Sequence, residues 1–181
     1  MTSKELYQQE LTKSDKDHHT PTAGAMVGHI ISNLLVHSLK ISQAKFFARD
    51  TSALFLDRYA DNWITYEQKQ FNELNQLLVN NNESIPTTLA QFNKNTMLVH
   101  NGATKYDDGQ EQLFALVKDF DTQTLFITKA IKLAQKENWF ELELALIKLL
   151  TWIKAQIATA QLFLGHNIKD GLYVEEDDDE F

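Results

Sequence analysis

Apolar residues recur at three- and four-residue spacing along almost the whole chain, a period that admits little besides amphipathic helices. Val27, Ile30, Ile31, Leu34, Leu35 and Leu39 form one stripe, and Leu56, Tyr59, Ala60, Trp63, Phe71, Leu74 and Leu78 form a second. A third, Leu113, Leu116, Val117, Phe120, Ile127, Ile131 and Ala134, follows Asp108 and Gly109. A fourth segment runs from Trp139 to Leu164 and stops at Gly165, where a left-handed residue can close a helix. Asp50, Thr51 and Ser52 mark the turn between the first two stripes, because their side chains can accept from the free N–H groups at a helix start. No segment alternates with the period of a strand, and no internal repeat competes. Four long helices are predicted.

Between the second and third stripes, from about Asn80 to Asp108, lie Pro86, Gly102 and a short apolar patch, Leu89, Phe92, Met97, Leu98 and Val99. A connection of this length without structure of its own is uncommon in a compact domain, so a short helix is expected there. The expected fold class is therefore all-α: a ferritin-like four-helix bundle over residues 21–168, with one long crossover carrying a short helix. Residues 1–20 form a separate N-terminal helical arm. Lys4 to His19 is polar apart from Leu6, Tyr7 and Leu11, and Thr20-Pro21-Thr22 interrupts any helix before the bundle begins.

Residues 169–181 are expected to be an acidic C-terminal tail. The chain of 181 residues carries a formal charge of −8, but Asp170 and the run Glu175, Glu176, Asp177, Asp178, Asp179 and Glu180 account for seven of its 25 acids. The rest balances 17 basic against 18 acidic residues and is nearly neutral. Such a run repels itself and is expected to be solvated, with capture of a metal or competition for a basic surface as the other readings. With no cysteine, disulfide scaffolds, thiolate metal sites and Cys nucleophiles are excluded, and a cytoplasmic location is expected. The first apolar stretch, Met26 to Leu39, is interrupted by His29, Ser32, Asn33 and His37, so neither a signal peptide nor a membrane span is expected. The fourth helix is apolar around most of its circumference, from Trp139 and Phe140 to Phe163 and Leu164, more than one bundle face can bury; contacts between subunits are expected.

The ordered set Gln43-Ala44-Lys45-Phe46-Phe47-Ala48-Arg49, Leu56-Asp57, Asp61, Thr87-Thr88-Leu89-Ala90-Gln91-Phe92, Leu116-Val117-Lys118-Asp119-Phe120 and Phe163-Leu164-Gly165 resembles the Dps family, DNA-binding ferritin-like proteins of starved cells. The resemblance covers about residues 25 to 165. It implies a hollow shell, typically of twelve subunits, and in most members iron oxidation at a site shared between two subunits. The family's usual ligands are two His, two Asp and a Glu. Carried over, those positions are Lys45, Asp57, Asp61, Asn72 and Gln76, and only Asp61 keeps the family's residue. Lys45 would place an ammonium where a hard cation should bind, and Asn72 and Gln76 lack the charge that holds one. Asp57 and Asp61, four apart on one helical face, are expected to pair with Lys45 or Arg58 rather than bind iron.

No His has a Glu three residues before it, so the Glu-x-x-His route to iron within a bundle is absent too. His29 and His37 are expected as hydrogen-bonded interior or interface residues. Asp15, His18 and His19 in the arm are a residual metal candidate, with Asp15 three or four residues from each imidazole. Glu137, Glu141 and Glu143 lie where the resemblance suggests acidic pores that admit cations; a helix start favouring acids explains them equally well.

In this family an N-terminal extension commonly binds DNA, which makes Lys4, Lys13 and Lys16 the DNA-binding candidates. One arm holds four acids against those three lysines, so a single copy is a poor phosphate ligand. A dozen copies would gain by avidity. Nothing provides base readout, so binding should be independent of sequence. The expectation is a non-enzymatic, homo-oligomeric shell of twelve subunits that covers DNA during starvation or oxidative stress, in the cytoplasm and at the nucleoid. Two alternatives stay open: an iron-sequestering ferroxidase or storage protein with non-standard ligands, and a helical interaction module without nucleic acid or metal.

Overall fold

The computed structural model describes residues 1–173, the side chain of His18 excepted. The run from Glu175 to Glu180 lies outside the described residues. Among the described residues six α-helices follow in order: α1 (Ser3–His19), α2 (Ala23–Phe47), α3 (Asp50–Asn80), α4 (Leu89–Asn95), α5 (Gly109–Lys136) and α6 (Phe140–Phe163), with a 3-10 turn at Gly102–Tyr106 ahead of α5. Helices α2, α3, α5 and α6 are the four predicted from the apolar stripes, and α4 is the short crossover helix. No described residue is in a strand, and no helix among the described residues is long and apolar enough to cross a membrane.

The stripes converge on one core, with Ile30, Leu34, Leu56, Trp63, Leu74, Phe120, Ile127 and Leu149 all buried. Each such side chain contributes about 1.5–3 kcal/mol by leaving water. Three helices end in the same way. Asn82, Asn138 and Gly165 take positive φ (57°, 56° and 77°), and the N–H after each returns to a carbonyl of the last turn: Glu83 to Leu78, Trp139 to Ala134 and His166 to Gln161. At the starts of α1, α2 and α4 the Thr2, Thr22 and Thr88 hydroxyls accept from the N–H groups of Glu5, Ala25 and Gln91.

Polar residues on α2 pin the crossover. His29 Nδ1 donates to the Asn95 carbonyl (2.7 Å), Asn33 Oδ1 accepts from the Met97 N–H (2.8 Å) and the Thr96 hydroxyl (3.0 Å), and Lys40 Nζ donates to the Val99 carbonyl (2.7 Å). These bonds give the crossover a fixed path across the bundle.

The α2–α3 turn is tight. Asp50 has φ of 62°, and its Oδ1 accepts from the Ser52 N–H at 2.7 Å, as expected of this turn. The turn rests on the first residue of α5: a Cβ on Gly109 would lie 2.3 Å from the Arg49 carbonyl oxygen and 2.9 Å from the Asp50 carboxylate. Backbone cannot retreat as a flexible side chain does. Gly109→Ala should therefore destabilise the chain by about 1–3 kcal/mol, read as a lower urea midpoint, against the small gain that alanine usually brings to a helix.

Residues 169–173 do not begin a free tail at the boundary read from the sequence. Gln161 Nε2 donates to the carbonyls of Ile168 (3.2 Å) and Asp170 (2.9 Å), and Leu172 packs against the core. Gly171, with φ of 68°, lies so close to the Phe114 ring that a Cβ would fall 2.8 Å from it. The Tyr173 N–H then donates to Asp121 Oδ2 at 2.9 Å. The end of the described chain thus runs along α5.

Candidate functional site

The position implied as a metal site is held by an ion pair. Lys45, in the last turn of α2, and Asp61, in the fourth turn of α3, meet with Nζ 2.6 Å from Oδ1. The antiparallel α2–α3 pairing forces this approach, and the pair is the one expected for Lys45. Asp57 is exposed one turn earlier, and Arg58 places its guanidinium 5.7 Å from the Tyr59 ring centre rather than on either aspartate. Asn72 and Gln76 are exposed, and Gln76 Nε2 donates to Asn80 Oδ1 (2.7 Å). At 1.5 Å per residue they lie about 17–22 Å along α3 from Asp61, so only a second copy could bring them to Lys45. The donor set does not fit iron: an ammonium already satisfies the one retained carboxylate, and the distant positions offer amides.

The arm candidates divide by what they touch. α1 is mostly exposed, and Lys13 ties it to the bundle, its Nζ 2.8 Å from Glu83 Oε2. The hydrogen bond from Lys13 to Glu83 raises the lysine pKa above its ordinary value. Lys4 and Lys16 are exposed and form no ion pair with a described residue. His19 Nδ1 donates to the Asp15 backbone carbonyl (2.8 Å), and the side chain of His18 lies outside the described residues. No cluster of three His, Asp or Glu able to hold a metal occurs among the described residues.

The three acids near the start of α6 have neighbours of their own. Glu137 Oε1 accepts from the Ala23 N–H (2.8 Å), which caps α2 from across the bundle. Glu143 accepts from Gln135 (2.8 Å). Glu141 accepts from Trp139 Nε1 (2.9 Å) and Asn81 Nδ2 (3.3 Å). Hydrogen bonding from its own backbone N–H, with help from those side chains, holds the Glu141 carboxyl below its ordinary pKa.

Sequence reasoning did not find the most buried charged group. His37 and Glu67 are both 0% exposed, with Nδ1 2.6 Å from Oε1, while Nε2 faces the Leu116 carbonyl at 3.3 Å. The Ser38 hydroxyl donates to the other carboxylate oxygen (3.0 Å), and Lys40 pairs with Asp119 on α5 (2.5 Å). The available signal was an acid at an inward position, since Trp63, Glu67, Gln70 and Leu74 repeat at helical spacing.

Three apolar surfaces are open among the described residues. A groove of ≈ 390 Å³ between α2 and the crossover is lined by Leu35, Val36, Leu39, Leu89, Phe92 and Leu98. Near the α2–α3 turn, Phe46, Leu54 and Tyr106 are 75%, 74% and 78% exposed. On α6, Phe140, Leu144 and Leu162 are also exposed, in keeping with its all-round apolar sequence.

No protein-family model and no curated protein matches the chain. Solved structures do. The DpsA protein of Lactococcus lactis MG1363 is 34% identical and superposes with a TM-score of 0.87 over 93% of this chain and 99% of its own. The DpsB protein of the same organism is 33% identical, with a TM-score of 0.86 over 92% and 96%. Dps from Listeria monocytogenes, at 22% identity and a TM-score of 0.80 over 83% and 98%, shares the fold.

Proposed function

The chain belongs to the Dps family, and on that premise we propose that it assembles into a homo-oligomeric shell, of twelve copies as the family resemblance implies, that binds DNA without sequence preference and protects it by covering it. Iron oxidation at the shared site is not part of this reading. The observation that carries it is the Lys45–Asp61 ion pair at 2.6 Å: a fixed cation stands where a metal would need anionic donors. The open apolar groove and the exposed aromatics at the α2–α3 turn supply surface for subunit contacts. Each copy adds an arm whose Lys4 and Lys16 are exposed. Glu141 and Glu143 are left to line an entry for cations, because Glu137 is engaged with α2.

Attraction between lysines and phosphates works by counterion release, so it is steep in salt and blind to base sequence. Two duplexes of unrelated sequence should therefore be retained equally in a gel-shift assay at about 50 mM salt. If six or more phosphates are neutralised, affinity should fall by about 10³-fold by 200 mM. Retention of only one duplex, or retention indifferent to salt, would contradict the reading.

A further inference from the structure

The arm is seated on the bundle by charge rather than by packing. No described residue of α1 belongs to the core or packs against it, and Leu6, Tyr7 and Leu11 are exposed. Between α1, the start of α2 and the crossover lies a cavity of ≈ 430 Å³, with Glu10, Asp17, Gly24, Gly28, Glu83 and Lys94 in its walls. Its floor is bare, since a Cβ on Gly28 would meet nothing within 4 Å. Among the described residues, Lys13–Glu83 (2.8 Å) is the one ion pair that joins α1 to the bundle. Glu83 reaches it across α2, where a Cβ on Gly24 would fall 3.3 Å from Glu83 Cγ. The two side chains are 48% and 31% exposed. A pair of this kind shifts an equilibrium by about 1.4- to 5-fold and is screened by salt. The arm can also leave without unravelling its neighbour. Thr20 is extended (φ −130°, ψ 93°), Pro21 follows, and α2 starts on its own caps, the Thr22 hydroxyl and the Glu137 carboxylate.

We infer that α1 is a latched arm: the Lys13–Glu83 pair holds it on the bundle and withholds Lys13 from phosphate until a polyanion takes the place of the Glu83 carboxylate. Lys4 and Lys16, exposed while the arm is down, make the first contact. Lys13 follows on release. Double-stranded DNA carries a negative charge about every 1.7 Å along its axis, so it outcompetes a single half-exposed carboxylate for the lysine. The latch thus sets a threshold, and only a dense array of phosphates lifts the arm. The withholding of Lys13 from DNA rests on the DNA-binding reading, whereas the latch itself does not.

Spin-label distances in the full chain test the latch without DNA. The chain has no cysteine, so Gln9→Cys on α1 and Asn93→Cys on α4 supply one pair of labels, and labelled copies are diluted among unlabelled ones so that distances are read within one chain. A narrow distribution is expected at about 0.01 M salt and a broad one at about 1 M, where the Debye length falls from about 30 Å to about 3 Å. Glu83→Gln should be broad at both, because it removes the charge and leaves the Glu83 N–H on the Leu78 carbonyl. Lys16→Gln should stay narrow at low salt. A narrow distribution in Glu83→Gln at low salt, or a distribution in the otherwise unchanged chain that ignores salt, would overturn the latch. In gel shifts at low salt, Glu83→Gln should bind DNA about 1.4- to 5-fold tighter for each arm engaged. Its affinity should also fall more steeply with salt, since salt loosens the intact latch while it weakens the phosphate contact. Lys13→Gln/Glu83→Gln should lose both effects. If distances broaden in Glu83→Gln while DNA retention is unchanged, the withholding of Lys13 is wrong. If neither form retains DNA, the DNA reading has failed, and the distances alone decide the latch.

Discussion

Glu67→Leu will destabilise the folded chain by about 3–5 kcal/mol, the cost of leaving one member of a buried ion pair without its partner. Both side chains are fully buried, and both ring nitrogens of His37 face acceptors, Glu67 Oε1 and the Leu116 carbonyl, an arrangement that only the doubly protonated ring satisfies. Burial by itself would lower the His37 pKa. The Glu67 carboxylate, through its charge and hydrogen bond, and Asp119 outweigh that effect and the opposing Lys40, so the pKa stands above 6.5. The sign of the pH dependence follows. His37 holds its proton more tightly in the fold than in the unfolded chain, so its stabilisation is complete below about pH 6.5 and is lost as pH rises through the raised folded value. Urea unfolding across that window should show wild-type stability declining and the Glu67→Leu variant lacking this decline. His37→Leu/Glu67→Leu, which removes both charges, should recover most of the loss. A single-variant cost below about 1 kcal/mol would contradict the account.

Removing residues 1–20 should weaken DNA binding by about 10²-fold or more while leaving the assembly mass otherwise unchanged. A single arm has four acids against three lysines, and Lys13 is engaged with Glu83, so on the proposed reading each copy should bind weakly. The proposed binding then depends on many arms acting together, where avidity can exceed a single contact by about 10²–10⁴. α1 is an independently capped helix and contributes little to the bundle core, so the truncated chain should still fold. Undiminished retention of DNA by a correctly assembled truncation would move the binding surface elsewhere.

The sequence carried the four bundle helices because their apolar residues repeat with a local period, and the crossover helix because a connection of that length with an apolar patch is uncommon without structure of its own. Lys45 and Asp61 were legible as a pair once the resemblance had placed them. Contacts set by the packing of distant segments were not legible. His37 could be read as interior, but its partner lies 30 residues away. Glu137 read as a pore residue or as an acid at a helix start, and its bond from the Ala23 N–H, 114 residues earlier, has no local signal. Residues 169–173 read as the start of a tail because their composition is polar. What holds them is Gly171 against Phe114 and Tyr173 against Asp121, contacts with no local signature.

The most direct test of the central claim is anaerobic titration of the assembled protein with ferrous iron, followed by admission of air. With Lys45 fixed on Asp61, no stoichiometric binding and no oxidation above the buffer rate should be seen. Rapid oxidation of iron in proportion to subunits, with the metal located between Asp57, Asp61 and a neighbouring chain, would contradict it.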